Sequence, residues 1–350
     1  MKRISVCASS NYDVLIGKGL LKQAGTYIKE IRSNCRAAII SDSHVWPVYG
    51  AVLEESLRQC GIPADKFVFP AGEGSKNADT YLQILNFLAQ SHITRSDLII
   101  ALGGGVVGDI AGFSSATYLR GIPFIQIPTS LLAMVDSSVG GKTAIDLDAG
   151  KNLCGAFYQP DIVICDYKLT ETLTDEIFAD GCAEIIKYSL IRDYDLFCHL
   201  SEKGRDFDRE YVISRCAEIK SDIVAEDEFD GGVRQLLNYG HTVGHAIEAL
   251  SNFGLTHGSA VAAGMAIIVR TCVDKGLCSG SCAEDTLNLI RSFNLPTETR
   301  FTAAEIASVI ENDKKRNGGT ITLVLPEKTG KCILKKLPIE ETEDFIAAGL

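Results

Sequence analysis

The sequence predicts an α/β domain followed by an all-α domain. In the first half of the 350-residue chain, apolar runs typical of buried strands alternate with segments of helical period. This alternation favours a mostly parallel, doubly wound sheet. From about residue 175 onward the pattern is almost entirely helical. We therefore expect an α/β domain over residues 1–174 and a helical domain over residues 175–350.

The strands of the first domain are expected where short apolar runs are bounded by polar or turn residues. These runs lie at 36–41, 66–69, 97–102, 123–127 and 161–165. A helix is expected over 77–90, because its apolar side chains recur with the spacing i, i+3, i+4 and i+7. These side chains are Tyr81, Ile84, Leu85 and Leu88.

The second domain is expected to consist of helical segments and one hairpin. The helical segments lie at 175–203, 209–227, 232–251, 258–276, 282–293 and 303–312. The last two apolar runs, at 320–326 and 331–338, look like strands and lie close enough in sequence to pair as a hairpin.

Composition and charge disfavour several classes of protein. No apolar stretch is long and uninterrupted enough to cross a bilayer, and the first residues lack the apolar segment and cleavage site of a secretory signal. A formal net charge of −11 disfavours nucleic-acid binding, which needs clustered lysine and arginine. The twelve cysteines contain no CxxC pair, so we interpret them as reduced thiols rather than a zinc cluster or disulfide framework. These features favour a cytoplasmic protein.

A glycine-rich turn follows the third predicted strand. Gly103, Gly105 and Gly108 satisfy G-x-G-x-x-G, in which bare backbone approaches a pyrophosphate at a helix N-terminus. The layout is unusual, because Pro128 stands where the ordinary fingerprint has an acid. A tight turn without a ligand is the alternative. We favour a nucleotide site, with Asp109 as a candidate for a ribose or amide contact.

The stretch "VGGKTAID" is similar to the end of a P-loop, but the first glycine of that motif is replaced by Asp136. Nucleoside-triphosphate hydrolysis is therefore rejected. Polar side chains nevertheless gather after the strand at 123–127, where open α/β sheets bind ligands. They are Asp136, Ser137, Ser138, Lys142, Lys151 and Asn152. The lysines suit an anionic substrate, and solvated surface lysines are the alternative.

Three of the six histidines lie within residues 241–257. His241 and His245 are four residues apart and share one face of a helix, and His257 follows a short loop. Histidines grouped in this way could bind a metal ion with Glu184, a carboxylate in an apolar stretch that needs a cation or metal partner. Spacing alone leaves open which of the histidines would bind the ion. Separate hydrogen-bonded histidines in a core are the alternative.

A divalent metal beside a nicotinamide suits alcohol oxidation, because the metal acidifies the hydroxyl from which hydride leaves. Cations lie near both predicted sites: Lys142, Lys151, Lys187 and Arg234. They imply a substrate that carries phosphate or carboxylate.

Eight strings, in order along nearly the whole chain, resemble the 3-dehydroquinate synthase family. They are "GEGSK", "ALGGGVVGDIAGF", "YLRGIPFIQIPTSLLAMVDSSVGGKTAID", "GKNLCGAFYQP", "GCAEIIKY", "LLNYGHTVGHAIE", "THGSAVAAGM" and "DKKRNGGTITLVLP". The resemblance implies a Rossmann-like N-terminal domain that binds NAD and a helical C-terminal domain that binds zinc, with cobalt as an alternative metal. It also implies an active site in the cleft between the domains, and a homodimer.

The resemblance assigns roles by matching positions. The metal ligands are Glu184, His241 and His257. The substrate pocket is lined by Asp136, Lys142, Lys151, Asn152, Lys187, Lys220, Arg234, Asn238, His245 and Lys314 or Lys315, with Arg120 reaching the substrate phosphate of the neighbouring subunit. The cofactor is bound by Asp42, Gly72, Glu73, Lys76, Gly105, Val106, Asp109, Thr129, Ser130, Lys142, Lys151 and Thr172.

The family reaction converts 3-deoxy-D-arabino-heptulosonate 7-phosphate, a phosphorylated sugar acid, to 3-dehydroquinate and phosphate in the shikimate pathway to aromatic amino acids. It combines transient oxidation by NAD, phosphate elimination, re-reduction, ring opening and intramolecular aldol closure, so the enzyme is a lyase. The alternatives are a sister sugar-phosphate cyclase, a metal-dependent glycerol or alcohol dehydrogenase, and a binding protein without catalysis.

Overall fold

The computed structural model describes residues 1–252, 254–314 and 319–350, apart from the side chains of residues 312–314. The chain divides into two compact units. The first, which we call the sheet unit, comprises residues 1–173 and 209–229. The second, the helical unit, comprises residues 174–208 and 230–350. Among the described residues, no helix combines the length and the apolar character that a membrane span requires.

The sheet unit is organised around a seven-stranded sheet. The strands of this unit are β1 (Lys2–Val6), β2 (Tyr12–Gly17), β3 (Ala37–Asp42), β4 (Ala64–Phe69), β5 (Leu98–Gly103), β6 (Phe124–Pro128), β7 (Lys142–Leu147), β8 (Gly150–Phe157) and β9 (Ile162–Asp166). The sheet has the order β1-β2-β9-β6-β5-β3-β4, and every neighbouring pair is parallel except β1 and β2. The mostly parallel sheet expected from the sequence is therefore confirmed.

The remaining two strands of this unit, β7 and β8, pair with each other as a separate antiparallel hairpin. The sequence did not predict these two strands or the edge pair β1 and β2. The apolar runs that mark β3, β5, β6 and β9 come from strands buried along their length. Strand β8 instead alternates half-buried and exposed residues, and β1 has three exposed residues of five.

Twelve helices are present in the described part of the chain. They are α1 (Ala24–Ile31), α2 (Trp46–Gln59), α3 (Ala78–Gln90), α4 (Gly105–Thr117), α5 (Asp175–Arg192), α6 (Tyr194–Lys203), α7 (Arg209–Glu226), α8 (His241–Leu250), α9 (His257–Asp274), α10 (Gly280–Ser292), α11 (Ala303–Lys314) and α12 (Thr342–Ala347). The predicted helix at 77–90 corresponds to α3, which begins after Asn77 because the Asn77 side chain accepts a 2.9 Å hydrogen bond from the Thr80 N–H.

Helix α7 belongs to the sheet unit, where it packs against β1 and β2. The sequence division at residue 175 places this helix with the helical half. Its buried stripe, which includes Val212, Cys216, Ile219 and Ile223, has the period of a helix that covers a partner. That period does not identify the partner, so only the folded chain shows that the partner is the sheet.

The helical unit contains α5, α6 and α8 to α12 together with an antiparallel hairpin of β10 (Thr320–Lys328) and β11 (Lys331–Pro338). The hairpin expected from the sequence is confirmed. Two expected helices are interrupted. The segment 175–203 breaks at Asp193, whose carboxylate caps α6 by accepting from the Leu196 N–H. The segment 232–251 breaks at Gly240, which has φ 78°.

Helices α8 and α9 pack closely because glycines line their contact. A Cβ added to Gly264 would lie 2.1 Å from the carbonyl oxygen of Gly240, and one added to Gly244 would lie 2.9 Å from that of Ala260. Such distances exclude any side chain larger than hydrogen. The first residues of the two helices, His241 and His257, are thereby held near each other.

Candidate functional site

The carboxyl edge of the parallel sheet carries most of the residues expected to bind the cofactor. Neighbouring parallel strands end on the same edge, so the loops after β3, β4, β5, β6 and β9 lie along it. These loops, the strand ends and the start of α4 contain Asp42, Gly72, Glu73, Lys76, Gly105, Val106, Asp109, Thr129, Ser130 and Thr172. The winding direction reverses between β3 and β5, because β4 lies beyond β3 and β6 lies beyond β5. Open α/β sheets bind ligands at such a switch point.

The glycine turn between β5 and α4 presents bare backbone at this edge. Gly104 is the N-cap of α4 and contributes no side-chain cap. A Cβ on Gly104 would lie 3.3 Å from Ser130 Oγ, and one on Gly105 would lie 3.3 Å from Ser137 Oγ. A side chain at either position would require these hydroxyl groups to move by a few tenths of an ångström. The free N–H groups at the start of α4 additionally suit the phosphates of a dinucleotide.

Lys76, in the loop after β4, is a buried cation surrounded by acceptors. Its Nζ lies 3.1 Å from Asp109 Oδ2 and 3.2 Å from Glu73 Oε1, and donates a 2.6 Å hydrogen bond to Asn152 Oδ1. Burial raises the pKa of Asp109 to about 6, against the opposing charge of Lys76. Lys151 Nζ lies 3.6 Å from Glu73 Oε1. The structure thus joins residues expected at the cofactor and at the substrate in one charged cluster.

A second buried ion pair links Asp136 to Lys220 of α7. Lys220 Nζ donates to the Asp136 carboxylate and, at 2.8 Å, to the Asp136 carbonyl oxygen. Asp136 lies in a single π-helical turn, Ala133–Ser137. Such turns are frequent at functional sites. The packing of α7 on the sheet brings together these two residues, both expected at the substrate although they are far apart in sequence.

Arg120 and Lys142 lie at the ends of elements in the sheet unit. Arg120 follows α4 with φ 69°, next to Leu119 with φ 50°. Two consecutive side-chain-bearing residues in the left-handed region form a strained turn. Lys142 is the first residue of β7 and is exposed. The expected contact of Arg120 with a neighbouring subunit stays a prediction.

In the helical unit, Glu184, His241 and His257 each bring one potential ligand atom to within 4.8 Å of the others. Nε2 of His241 and Nε2 of His257 lie 3.3 Å and 3.4 Å from Glu184 Oε1. Glu184 lies on α5, and both of its carboxylate oxygens are buried without a hydrogen bond of normal geometry in the described part of the chain. One carboxylate and two imidazoles that converge in this way fit a catalytic zinc site.

The Nδ1 atoms of His241 and His257, which face away from Glu184, each have a partner of their own. His241 Nδ1 lies 3.1 Å from the carbonyl oxygen of Tyr239, and His257 Nδ1 lies 3.4 Å from Glu248 Oε2. Partners at Nδ1 orient the ring and leave Nε2 toward the ion. Burial lowers the pKa of His257, but Glu184 and Glu248 outweigh it and raise this pKa to about 10. Two carboxylates thus lie against the His257 imidazole, an arrangement that favours a cation beside it.

His245 lies beside this group but does not belong to the set of three convergent ligands. Its ring centroid is 5.4 Å from that of His241 and 5.8 Å from that of His257. The pKa of His245 is lowered, first by desolvation and then by the two neighbouring imidazoles. Its ring still reaches solvent, which weakens this effect, yet the neutral form dominates at pH 7.

Three other residues expected at the substrate lie in the helical unit. Lys187 is one turn along α5 from Glu184, is buried, and contacts the Glu184 carboxylate. Arg234 and Asn238 lie in a 3₁₀ helix, Val233–Asn238, just before α8. Arg234 is only 1% exposed, and Asn238 is half-buried.

The two alternatives for the last substrate residue concern neighbouring positions. Lys314 is the last residue of α11, and its side chain lies outside the described part of the chain. Lys315 lies outside the described residues altogether. Their expected role stays a prediction.

Two residues of these sites were not expected from the sequence. Glu248 lies in the apolar stretch "AIEAL", just as Glu184 lies in "CAEII". Glu184 was recognised because it is a carboxylate in an apolar helical segment and a possible partner of the histidines. The same criterion would have identified Glu248. Asp146, which contacts Lys76 at 3.7 Å, lies on a strand that was not predicted, and no sequence pattern marks it.

Comparison with known proteins identifies the family. The curated 3-dehydroquinate synthase of Streptococcus suis (strain 05ZYH33) is 43% identical over 342 residues, which cover 96% of this chain and 96% of that protein. The chain belongs to the 3-dehydroquinate synthase family. The family models for the N-terminal and C-terminal parts of 3-dehydroquinate synthase match residues 66–180 and 181–316. The family resemblance seen in the sequence is thus confirmed.

Two solved structures show how far this fold of the 3-dehydroquinate synthase family extends. A 2-deoxy-scyllo-inosose synthase complexed with carbaglucose-6-phosphate, NAD⁺ and Co²⁺ has a TM-score of 0.90 at 24% identity, with 100% of both chains covered. The 2-epi-5-epi-valiolone synthase of Streptomyces hygroscopicus subsp. jinggangensis 5008, with NAD⁺ and Zn²⁺ bound, has a TM-score of 0.88 at 25% identity, with 99% and 98% covered. The expected combination of a Rossmann-like α/β part and a helical part is confirmed.

Proposed function

We propose that this chain is a 3-dehydroquinate synthase, a lyase that converts 3-deoxy-D-arabino-heptulosonate 7-phosphate to 3-dehydroquinate and phosphate. The observation that carries the proposal is the convergence of Glu184, His241 and His257 beside Lys187 and His245, in a chain that belongs to this family. A dehydrogenase acting on a simple polyol would use the metal ligands. It would not need additional cations next to them.

We propose NAD and zinc as the cofactors, with cobalt as an alternative metal. Bound zinc would supply a Lewis acid for a substrate hydroxyl, and bound NAD would accept a hydride and return it. Glu184, His241 and His257 would hold the metal ion. The carboxyl edge of the sheet, with the glycine turn and the cluster around Lys76, would hold NAD.

The cations of the chain bind and orient an anionic substrate in this proposal. Lys187, Lys220 and Arg234 are buried, so their charges act through a lower dielectric than water and attract a phosphate or carboxylate more strongly. Asp136 holds Lys220 in place. His245, as a neutral imidazole, can accept a hydrogen bond or a proton from a substrate hydroxyl.

We further propose a homodimer in which Arg120 reaches the substrate phosphate of the neighbouring subunit. The strained turn at Arg120 supports a special role for this side chain. Light scattering will measure the mass in solution. Mixing Arg120→Ala with a second inactive variant, Lys220→Met, should restore activity if Arg120 acts across subunits. A cytoplasmic location is also proposed, since no disulfide joins the cysteines of the described residues, as expected in a reducing compartment.

The direct test is a reaction with 3-deoxy-D-arabino-heptulosonate 7-phosphate, NAD and zinc. Phosphate release and 3-dehydroquinate formation should rise together, while NADH should not accumulate. Lys220→Met should lose most of this activity, because it removes the cation that Asp136 holds. A matched control is Lys203→Met, on an exposed helix face of the helical unit, which should behave like the wild type.

The same assay separates the alternatives. Accumulation of NADH from a simple polyol, without phosphate release, would favour a dehydrogenase. Phosphate release from glucose 6-phosphate or sedoheptulose 7-phosphate, but not from the seven-carbon sugar acid phosphate, would move the assignment to a sister cyclase.

A further inference from the structure

The hairpin of β7 and β8 holds Asn152 in an unusual conformation. Asn152 has φ 56°, in the left-handed region that side-chain-bearing residues rarely adopt. The pairing register of the hairpin shifts between Ile145 and Leu147, opposite this residue. Asparagine adopts this region more readily than most residues, and contacts of its backbone can stabilise it there.

Asp146 makes those contacts. Its Oδ1 accepts a 2.8 Å hydrogen bond from the backbone N–H of Asn152. Its own backbone N–H donates a 2.7 Å hydrogen bond to the carbonyl oxygen of Lys76. Through these two hydrogen bonds, Asp146 joins β7 to β8 and joins the hairpin to the loop after β4.

The Asn152 side chain held by this hairpin contacts Lys76. Asn152 Oδ1 accepts a 2.6 Å hydrogen bond from Lys76 Nζ, which also lies 3.1 Å from Asp109 and 3.7 Å from Asp146. In the proposed function, Asn152 faces the substrate and Lys76 the cofactor. The contact between these two side chains depends on the left-handed conformation of Asn152. In an extended conformation, the Asn152 side chain would point in a different direction.

We propose that Asp146 is a positioning residue whose carboxylate presets Asn152, and through it the contact with Lys76, by accepting the Asn152 N–H. This inference rests on the proposed function for the roles of Asn152 and Lys76. The contacts themselves do not depend on it. The essential property of Asp146 is a hydrogen-bond acceptor at Oδ1, since its charge lies farther from Lys76 than those of Asp109 and Glu73.

Two substitutions separate the acceptor from the charge. Asp146→Asn keeps an oxygen acceptor at Oδ1 and loses the charge, whereas Asp146→Ala loses both. We expect kcat/KM of Asp146→Ala to fall about tenfold, mostly in kcat, because one partly solvated hydrogen bond is lost. Asp146→Asn should stay within about twofold of the wild type. Both variants should keep the wild-type Tm within a few degrees, since the Asp146 side chain is only half-buried.

A second measurement tests the contact without catalysis. Backbone hydrogen exchange at Asn152 and its neighbours should be faster in Asp146→Ala than in the wild type, and near normal in Asp146→Asn. An exposed control, Asp148→Ala in the same hairpin, should change neither exchange nor kcat/KM.

The outcomes are distinguishable. The inference is overturned if Asp146→Ala matches the wild type, or if Asp146→Asn is impaired as much as Asp146→Ala. If the wild-type enzyme releases no phosphate from the expected substrate, the proposed function fails, and the exchange measurement still decides whether Asp146 holds Asn152.

Discussion

Glu248 provides a sharp test of the metal site, because it touches a predicted ligand without being one. Its Oε2 lies 3.4 Å from His257 Nδ1, and its side chain is buried. We consider Glu248→Gln, which keeps the shape and an oxygen acceptor but removes the negative charge. The substitution should weaken metal binding because an imidazole without an anionic partner is a poorer donor.

The size of the effect can be bracketed. An imidazole that binds a metal ion is neutral, so the lost interaction is its hydrogen bond to the Glu248 carboxylate, and hydrogen bonds to charged groups contribute about 1.5–3 kcal/mol. Losses of outer partners of metal-binding histidines reduce affinity about 10- to 100-fold. This range corresponds to about 1.4–2.7 kcal/mol, in agreement with the loss of that hydrogen bond.

The assay is competition for zinc between the protein and a chelating indicator, with Kd as the readout. The matched control is Glu284→Gln, the same substitution at an exposed position on α10 in the same unit, which should keep the wild-type Kd. An unchanged Kd in Glu248→Gln would refute the argument that Glu248 supports His257 as a ligand.

The other predictions concern the ligand set, the cofactor edge and the packing of the helical unit. His257→Ala should lose stoichiometric zinc on dialysis while His245→Ala retains it, and equal loss in both would contradict the division between ligand and neighbour. The Asp109 carboxyl has a pKa of about 6, so it is charged above that pH and protonated below it. If the ionised form contacts NAD, the Kd for NAD should rise as pH falls through 6. Asp109→Asn should bind NAD weakly at every pH. A change of Kd near pH 6 in this variant as well would refute the role of Asp109. Gly264→Ala should destabilise the protein to urea by about 1–3 kcal/mol, because the new methyl group would lie 2.1 Å from a carbonyl oxygen. Gly280→Ala, in open space, should be neutral, and equal stability of the two variants would argue against tight helix packing.

Most buried strands of the sheet could be predicted from the sequence, with β2 as the exception. Strands such as β5 and β6 consist of continuous apolar residues, so their sequence carries a local signal. The hairpin of β7 and β8 has no such signal, because its pairing depends on a partner strand and on a register shift that no single segment reveals. Local patterns therefore identified β3, β5, β6, β9 and the edge strand β4, but they missed β1, the buried strand β2 and the hairpin.

The metal site was largely accessible from the sequence because unusual residue types cluster there. Three histidines and a carboxylate in an apolar helix stand out against a chain with six histidines in all. The spacing of the histidines in the sequence did not decide which of them point toward Glu184. The answer depends on the glycine contacts between α8 and α9 and on the direction of each ring, which only the folded chain supplies.

The location of α7 has a consequence for how the protein folds during its synthesis. The sheet unit is discontinuous, since its last helix follows residues 174–208, which belong to the helical unit. During synthesis all strands of the sheet emerge before α7, but the sheet unit cannot be completed until the intervening stretch and α7 have left the ribosome. The two units therefore cannot fold independently one after the other. A fragment that stops at residue 174 would leave the surface of β1 and β2 that α7 covers open to water and to aggregation. The place to divide this protein for separate expression is consequently not the point at which its sequence pattern changes.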